Sequence, residues 1–301
     1  MVNLRTKSDI AAALRERNIR LKKSLGQHFL IDHNLLDFIV RSAGVTKTDL
    51  VLEIGGGSGL LTRHLAEAAA HVVTVEIDER LAALCRDHTA DFGNVTLLTC
   101  DALESKTALN PDVERAVRSA MESQDAARLK VAANLPYAAG TGMIRALLES
   151  PLPLELIVVT VQKEVSDKLA AQPGTRDYRP LSVIVQAHAR VEELRELKPG
   201  VFFPQPKVSS AAVRLTPTDE TMRRILNYET FTELVKGLFL HRRKKATGAL
   251  ALAGRFEMPR AALLAALENA GISDDTRADN LSVEEIVRLA NELWSRLQPT
   301  P

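Results

Sequence analysis

Cysteine is scarce in this chain: it has two in 301 residues, Cys85 and Cys100. That is too few for a disulfide framework, and their positions match no metal-ligand spacing. The seven histidines form no ligand cluster along the chain, so no metal is expected. Cys100 lies in an apolar run and is expected to be a core thiol. No apolar stretch approaches membrane-spanning length, and the N-terminus lacks the apolar core of a secretion signal. The expectation is a cytoplasmic protein with no membrane partner. Charge of one sign is missing as well. Lysine plus arginine number 39 and aspartate plus glutamate 38, so the chain as a whole is not a polycation. Internal repeats and low-complexity tracts are absent. What is there, 301 residues with 46% apolar content, suffices for one large α/β domain and a small second one.

The apolar run Asp49-Leu50-Val51-Leu52-Glu53-Ile54 reads as a buried parallel strand. Gly55, Gly57 and Gly59 follow in alternation, and Leu60-Leu61-Thr62-Arg63-His64-Leu65 opens a helical pattern. Strand, glycine turn and helix bring backbone close to a nucleotide. The dinucleotide fingerprint needs a third glycine that the chain lacks, since positions 60 and 62 are Leu and Thr. The pattern is E-x-G-x-G-x-G led by Glu53, which resembles an S-adenosylmethionine loop. A structural glycine turn has the same composition, so the loop alone leaves both readings open. Two later runs also end in acids: His71 to Glu76, and Val95 to Asp101. A carboxylate at such a strand end can accept both ribose hydroxyls, or an adenine amine. Singly, each is as well explained by a helix cap. Three in succession fit a ligand lying outside the carboxyl ends of the strands.

Asn134-Leu135-Pro136-Tyr137 follows another short strand, Leu129 to Ala133. An aromatic amine is a poor nucleophile because its lone pair is delocalised into the ring. Two acceptors holding both N–H groups favour a pyramidal nitrogen and expose that lone pair. The Asn134 amide oxygen can supply one acceptor. The Leu135 carbonyl can supply the other, with Pro136 stiffening the backbone beyond it. Tyr137 can stack on a base, a contact worth roughly 1–3 kcal/mol. A sulfonium methyl donor is already activated, so catalysis would be mainly positioning and electrostatics.

With these motifs the chain resembles the ribosomal RNA adenine N6-dimethyltransferases, and within them the bacterial small-subunit type. The resemblance runs from about Leu21 to about Leu293. It adds Lys22-Lys23-Ser24-Leu25-Gly26-Gln27-His28-Phe29-Leu30, similar to a cofactor-covering segment. It also adds Val161 to Val165 with Ala171 to Tyr178, Phe202 to Ser210, Phe239 to Lys244, and Arg277 to Ser282. The resemblance implies S-adenosylmethionine as cofactor. Gln27, His28 and Leu30 would line its site, with Glu53, Gly55, Gly57 and Gly59 forming the loop. Gly55 would approach the methionine end. Glu76 and Ile77 would meet the ribose side, and Asp101 and Ala102 the adenine. Asn134 would touch both cofactor and target, Leu135, Pro136 and Tyr137 would act with it on the target adenine, and Phe202 would cover the adenine's other face. The implied partner is small-subunit rRNA within a pre-ribosomal 30S particle, met by a monomer. Three departures stand out. Position 56 is Gly where Pro is usual. Ala138-Ala139-Gly140-Thr141 replaces the common Asn-Ile-Ser-Thr. The segment between Asp101 and Asn134 is longer than usual and carries a helix near 112–121.

Charge is unevenly distributed. Residues 1–24 hold Arg5, Lys7, Arg15, Arg17, Arg20, Lys22 and Lys23 against Asp9 and Glu16. His241-Arg242-Arg243-Lys244-Lys245 forms a second block. Both blocks suit phosphate contacts, with Lys22, Lys23, Arg242, Arg243 and Lys244 as RNA-binding candidates, though a solvated helix face reads the same way. The βα alternation continues through strands expected near 156–162, 182–188 and 211–215, implying a mostly parallel sheet covered by helices. Beyond Pro217 the pattern turns helical, with Phe231, Leu234, Val235, Leu238 and Phe239 as a core stripe. The expected layout is a basic arm over 1–30, a Rossmann-like methyltransferase sheet over 31–217 and a small all-helical RNA-binding domain over 218–301.

The leading expectation is N6-dimethylation of two adjacent adenines near the 3′ end of 16S rRNA, coupled to small-subunit maturation. A macrolide-resistance type of large-subunit methyltransferase is less well matched by the C-terminal motif. A DNA amine methyltransferase would need a target-recognition domain that is not visible. An assembly factor acting mainly by binding is the reading from another class.

Overall fold

The computed structural model describes the chain except residues 1–3, 5, 23–25, 125, 138, 255, 257 and 299–301. The chain divides into two compact units, Met1–Ser166 with Val191–Pro217, and Asp167–Arg190 with Thr218–Pro301.

The first unit is built on a seven-stranded sheet. Its strands in chain order are Asp49–Ile54 (β1), His71–Glu76 (β2), Val95–Thr99 (β3), Arg128–Asn134 (β4), Leu154–Gln162 (β5), Ala189–Leu197 (β6) and Ser210–Pro217 (β7). Across the sheet they lie in the order β3-β2-β1-β4-β5-β7-β6. Strands β1 to β5 pair in parallel, whereas β7 runs antiparallel to β5. The central strands β1 and β2 are buried at every position, which is why they read as unbroken apolar runs. Helices Leu60–Ala68 and Glu79–His88 follow β1 and β2. Asp78 caps the second of these, its side chain accepting from the Arg80 and Leu81 amides. One core cluster joins sheet residues such as Val51, Val72, Ala132 and Val158 to Leu36, Ile39 and Leu65. Such parallel topology with covering helices is the Rossmann-like arrangement expected from the sequence, and it puts the strand ends carrying Ile54, Glu76 and Asn134 on one edge.

Two local expectations need correction. Residues 182–188 are not a strand but lie in the helix Pro180–His188. This run is buried almost all round, so its apolarity carries no period, and Pro180 starts the helix in its first turn. The strand that the alternation requires comes next, as β6, whose charged, largely exposed residues hide it in the sequence. Strand β3 is not buried either. It is an edge strand with mixed exposure, and Cys100 lies just past its end, only partly covered. The helix expected near 112–121 is present as Pro111–Ser123, and a hairpin, Leu103–Ser105 with Ala108–Leu109, precedes it.

The second unit is helical. Helices Tyr228–Leu240, Ala246–Ala253, Arg260–Asn269 and Val283–Leu297 enclose a core with Phe231, Leu234, Leu238, Leu267, Ile286 and Leu293. Val183, Ile184 and Ala187 pack into the same core. That packing draws Asp167–Arg190 into this unit, which a single boundary near residue 217 leaves with the sheet. Among the described residues, no helix is long and apolar enough to cross a membrane.

Candidate active site

A cavity of about 180 Å³ opens at the C-terminal ends of β1, β2 and β4. The glycine turn shapes one side. Gly55 and Gly57 have φ of 83° and 54°, a region that glycine enters freely. A Cβ on Gly57 would stand 2.9 Å from the Phe29 ring, so glycine there lets Phe29 close over the turn. The Gly57 amide donates to Glu76 Oε2 at 2.8 Å, and the Asp78 amide donates to Oε1 at 2.9 Å. These bonds fix the Glu76 carboxylate in the cavity wall and leave each oxygen a further lone pair. Burial pushes its pKa up, opposed by those two amides. Ile77, Asp101, Ala102, Leu103 and Met143 continue the wall. Asp101 is exposed, and its Oδ1 accepts from the Leu103 amide at 2.9 Å.

Opposite them stands the segment after β4. Asn134 and Pro136 line the cavity together with Gln27 and His28. Asn134 Nδ2 donates to the His28 carbonyl at 2.6 Å, and its Oδ1 accepts from Thr160 Oγ1 at 2.5 Å. The Leu135 amide donates to the Thr160 carbonyl at 3.3 Å. Tyr137 lies beside the cavity rather than in its wall. Its ring meets the His28 ring with centroids 4.9 Å apart, and its hydroxyl bonds to Ser210 Oγ. Burial raises the Tyr137 pKa. His28 Nδ1 donates to the Pro204 carbonyl at 2.6 Å, which sets its tautomer because a carbonyl only accepts.

Ten of the sequence-derived site residues therefore share one cavity: Gln27, His28, Gly55, Gly57, Glu76, Ile77, Asp101, Ala102, Asn134 and Pro136. Others lie elsewhere. Glu53 is beneath the turn, only 1% exposed, and accepts from Thr62 Oγ1 at 2.6 Å. Burial pushes its carboxyl up to about 7. Gly59 caps the following helix and backs onto Cys85. Leu30 pairs with Phe202 in a short antiparallel ladder, and both side chains are in the core rather than in the cavity wall. Lys22 reaches Asp78 Oδ2 at 3.0 Å. Lys23 lies outside the described residues, as do Arg5, Ser24, Leu25 and Ala138. In the second unit, Arg243 and Lys244 are exposed, whereas Arg242 donates to the Arg176 carbonyl at 3.0 Å.

Sequence reasoning missed Thr160, Ser210, Cys100, Ala139 and Met143. Thr160 had one visible signal, a hydroxyl within the apolar run Leu154–Gln162. Among the described residues, no group of three or more His, Cys, Asp or Glu side chains is placed to hold a metal ion.

Comparison with known proteins agrees with this geometry. The chain is 39% identical over 295 residues to the ribosomal RNA small subunit methyltransferase A of Bacillus licheniformis, covering 95% of this chain and 97% of the relative. The protein of the same name from Alkaliphilus metalliredigens is 36% identical over 289 residues, covering 96% and 97%. Among solved structures, the 23S rRNA methyltransferase ErmE aligns with a TM-score of 0.63 at 25% identity, covering 88% of this chain and 99% of that one. A dimethyladenosine transferase from Plasmodium falciparum aligns with a TM-score of 0.74 at 23% identity, covering 88% and 97%, a likeness of fold. The family model described as ribosomal RNA adenine dimethylase matches residues 18–295, nearly the whole of both units. A methyltransferase sheet, an acid-lined cavity and this match lead to one conclusion: the chain belongs to the ribosomal RNA adenine dimethylase family.

Proposed function

We propose that this protein uses S-adenosylmethionine to dimethylate N6 of two adjacent adenines near the 3′ end of 16S rRNA in a pre-ribosomal 30S particle. The observation that carries the reading is Asn134, at the end of β4, in the wall of the cavity that also holds Glu76 and Asp101. The residues present fit the cofactor. Glu76 keeps acceptor capacity for a vicinal diol, Asp101 is an exposed acceptor for an amine, and Ile77, Ala102 and Met143 offer apolar walls for a purine. Gly55 presents backbone opposite Pro136, and His28 with Gln27 covers the opening.

When bound, S-adenosylmethionine supplies a sulfonium-activated methyl group. The chain's residues then orient the acceptor. Asn134 Oδ1 has one lone pair beyond that used by Thr160, and it accepts one N6–H. The Leu135 carbonyl accepts the other. Tyr137 stacks on the adenine, held by Ser210. The N6 proton is lost to water after transfer, so positioning rather than a strong base sets the rate. Lys22, Lys23, Arg243 and Lys244 contact phosphate. Arg242, already on a backbone carbonyl, shapes that loop.

Identities of 36–39% to small-subunit methyltransferases support the 16S target over the large-subunit target of ErmE, at 25%. The test is methyl transfer from labelled S-adenosylmethionine to unmethylated small subunits, large subunits and duplex DNA, with the product nucleoside identified by mass spectrometry. Dimethyladenosine in small-subunit RNA alone is the expected result. Product in large-subunit RNA would overturn the target, and tight binding without product would make the protein an assembly factor. Asn134→Ala is expected to abolish transfer and spare RNA binding.

A further inference from the structure

We propose that Thr160 is a positioning residue for methyl transfer, clamping the Asn134 amide that holds the target amine and the peptide unit that leads to the Leu135 carbonyl. The proposal rests on the role given to Asn134 above. Strand β5 pairs with β4 so that Thr160 stands in register beside Asn134. Thr160 is fully buried at the end of the apolar run Ile157-Val158-Val159. A buried hydroxyl is costly unless it is hydrogen-bonded. The Thr160 hydroxyl meets Asn134 Oδ1 at 2.5 Å.

The direction of that bond follows from the other end of the amide. The His28 carbonyl, 2.6 Å away, only accepts, so Asn134 Nδ2 must face it. The amide oxygen is thereby turned to Thr160, whose hydroxyl must donate. The side chain is held at both ends, and one lone pair on Oδ1 stays available. The backbone of Thr160 acts next to the second acceptor, since its carbonyl takes the Leu135 amide at 3.3 Å. One residue thus tethers the Asn134 side chain and the Asn134–Leu135 peptide, the unit just before the Leu135 carbonyl. Removing the hydroxyl leaves the amide a single tether, about which it can pivot. Misplacement of a reacting group by about 1 Å can slow a reaction by roughly 100-fold.

The test compares Thr160→Val, which keeps the shape and loses the hydroxyl, with Thr160→Ser, which keeps the hydroxyl. Single-turnover transfer to unmethylated small subunits is measured beside S-adenosylmethionine affinity and thermal melting. The expected result for Thr160→Val is a transfer rate lower by about 10- to 100-fold. Cofactor affinity and melting should stay near wild type, because valine suits a buried strand. Thr160→Ser should restore most of the rate. A Thr160→Val protein as fast as wild type would overturn the proposal, as would a Thr160→Ser protein slowed equally. Failure of the wild-type protein to methylate any RNA would instead overturn the activity reading, and the role of Thr160 with it.

Discussion

Gly56→Ala is expected to destabilise the first unit through one collision, and Thr74→Ala is expected to relieve it. A Cβ at position 56 would lie 2.6 Å from Thr74 Oγ1 and 3.3 Å from Cys85 Sγ. Real Cβ atoms do not approach other heavy atoms to 2.6 Å, so something must shift. Thr74 cannot retreat easily, because β2 is fully buried between β1 and β3. Gly56 does not occupy the left-handed region, so the effect is steric rather than conformational. Overpacking of this kind costs about 1–3 kcal/mol. Thr74→Ala alone deletes a buried methyl and hydroxyl, at about 1 kcal/mol. In the double variant Oγ1 is gone, and Thr74 Cβ, at 3.8 Å, is an ordinary contact. Its cost should therefore fall short of the sum of the singles by about 1 kcal/mol or more. Urea unfolding of the four proteins with an unchanged slope measures the coupling. Additivity within about 0.5 kcal/mol would refute the reasoning. The same collision would meet a proline at position 56. A proline would carry that Cβ and would remove the Gly56 amide that donates to the Val75 carbonyl at 3.1 Å.

Glu53 gives a pH prediction. Its folded carboxyl is raised from 4.5 to about 7, so between these values the native state holds a proton that the unfolded chain has released. Its contribution to stability therefore falls as pH rises through that window, and Glu76, also raised, acts in the same direction. Glu53→Gln should shrink the drop in melting temperature between about pH 5 and about pH 7.5, and an unchanged drop would contradict the assignment. Gly142→Ala should loosen the hairpin before the helix Pro111–Ser123, because its Cβ would meet the Lys106 carbonyl at 2.6 Å. The expected signs are a loss of about 1–3 kcal/mol and faster proteolysis within 103–109; an unchanged cleavage rate would show that the hairpin does not depend on that contact.

The glycine turn, the acids and the Asn134 tetrad were legible because each is a short pattern tied to one strand end. Glu53 was legible as part of the motif, but its place beneath the turn was not, since spacing does not say which side of a strand end faces a ligand. Leu30 and Phe202 were read as site residues from the motifs around them, yet their antiparallel pairing turns both side chains into the core. The helix Pro180–His188 was misread because a run buried on all sides has neither strand nor helix period.

The sequence by itself determined the parallel sheet, the acid-lined cavity edge and the Asn134 segment, because local periodicity and spacings of a few residues encode them. Only the tertiary structure decided what supports that site. His28 and Asn134 are 106 residues apart in the chain, and Tyr137 and Ser210 are 73 apart. Thr160 meets Asn134 through strand register, and Glu53 acquires its raised pKa only when the sheet closes over it. Such contacts depend on which strands become neighbours, and on how much water their packing removes, neither of which a local pattern records.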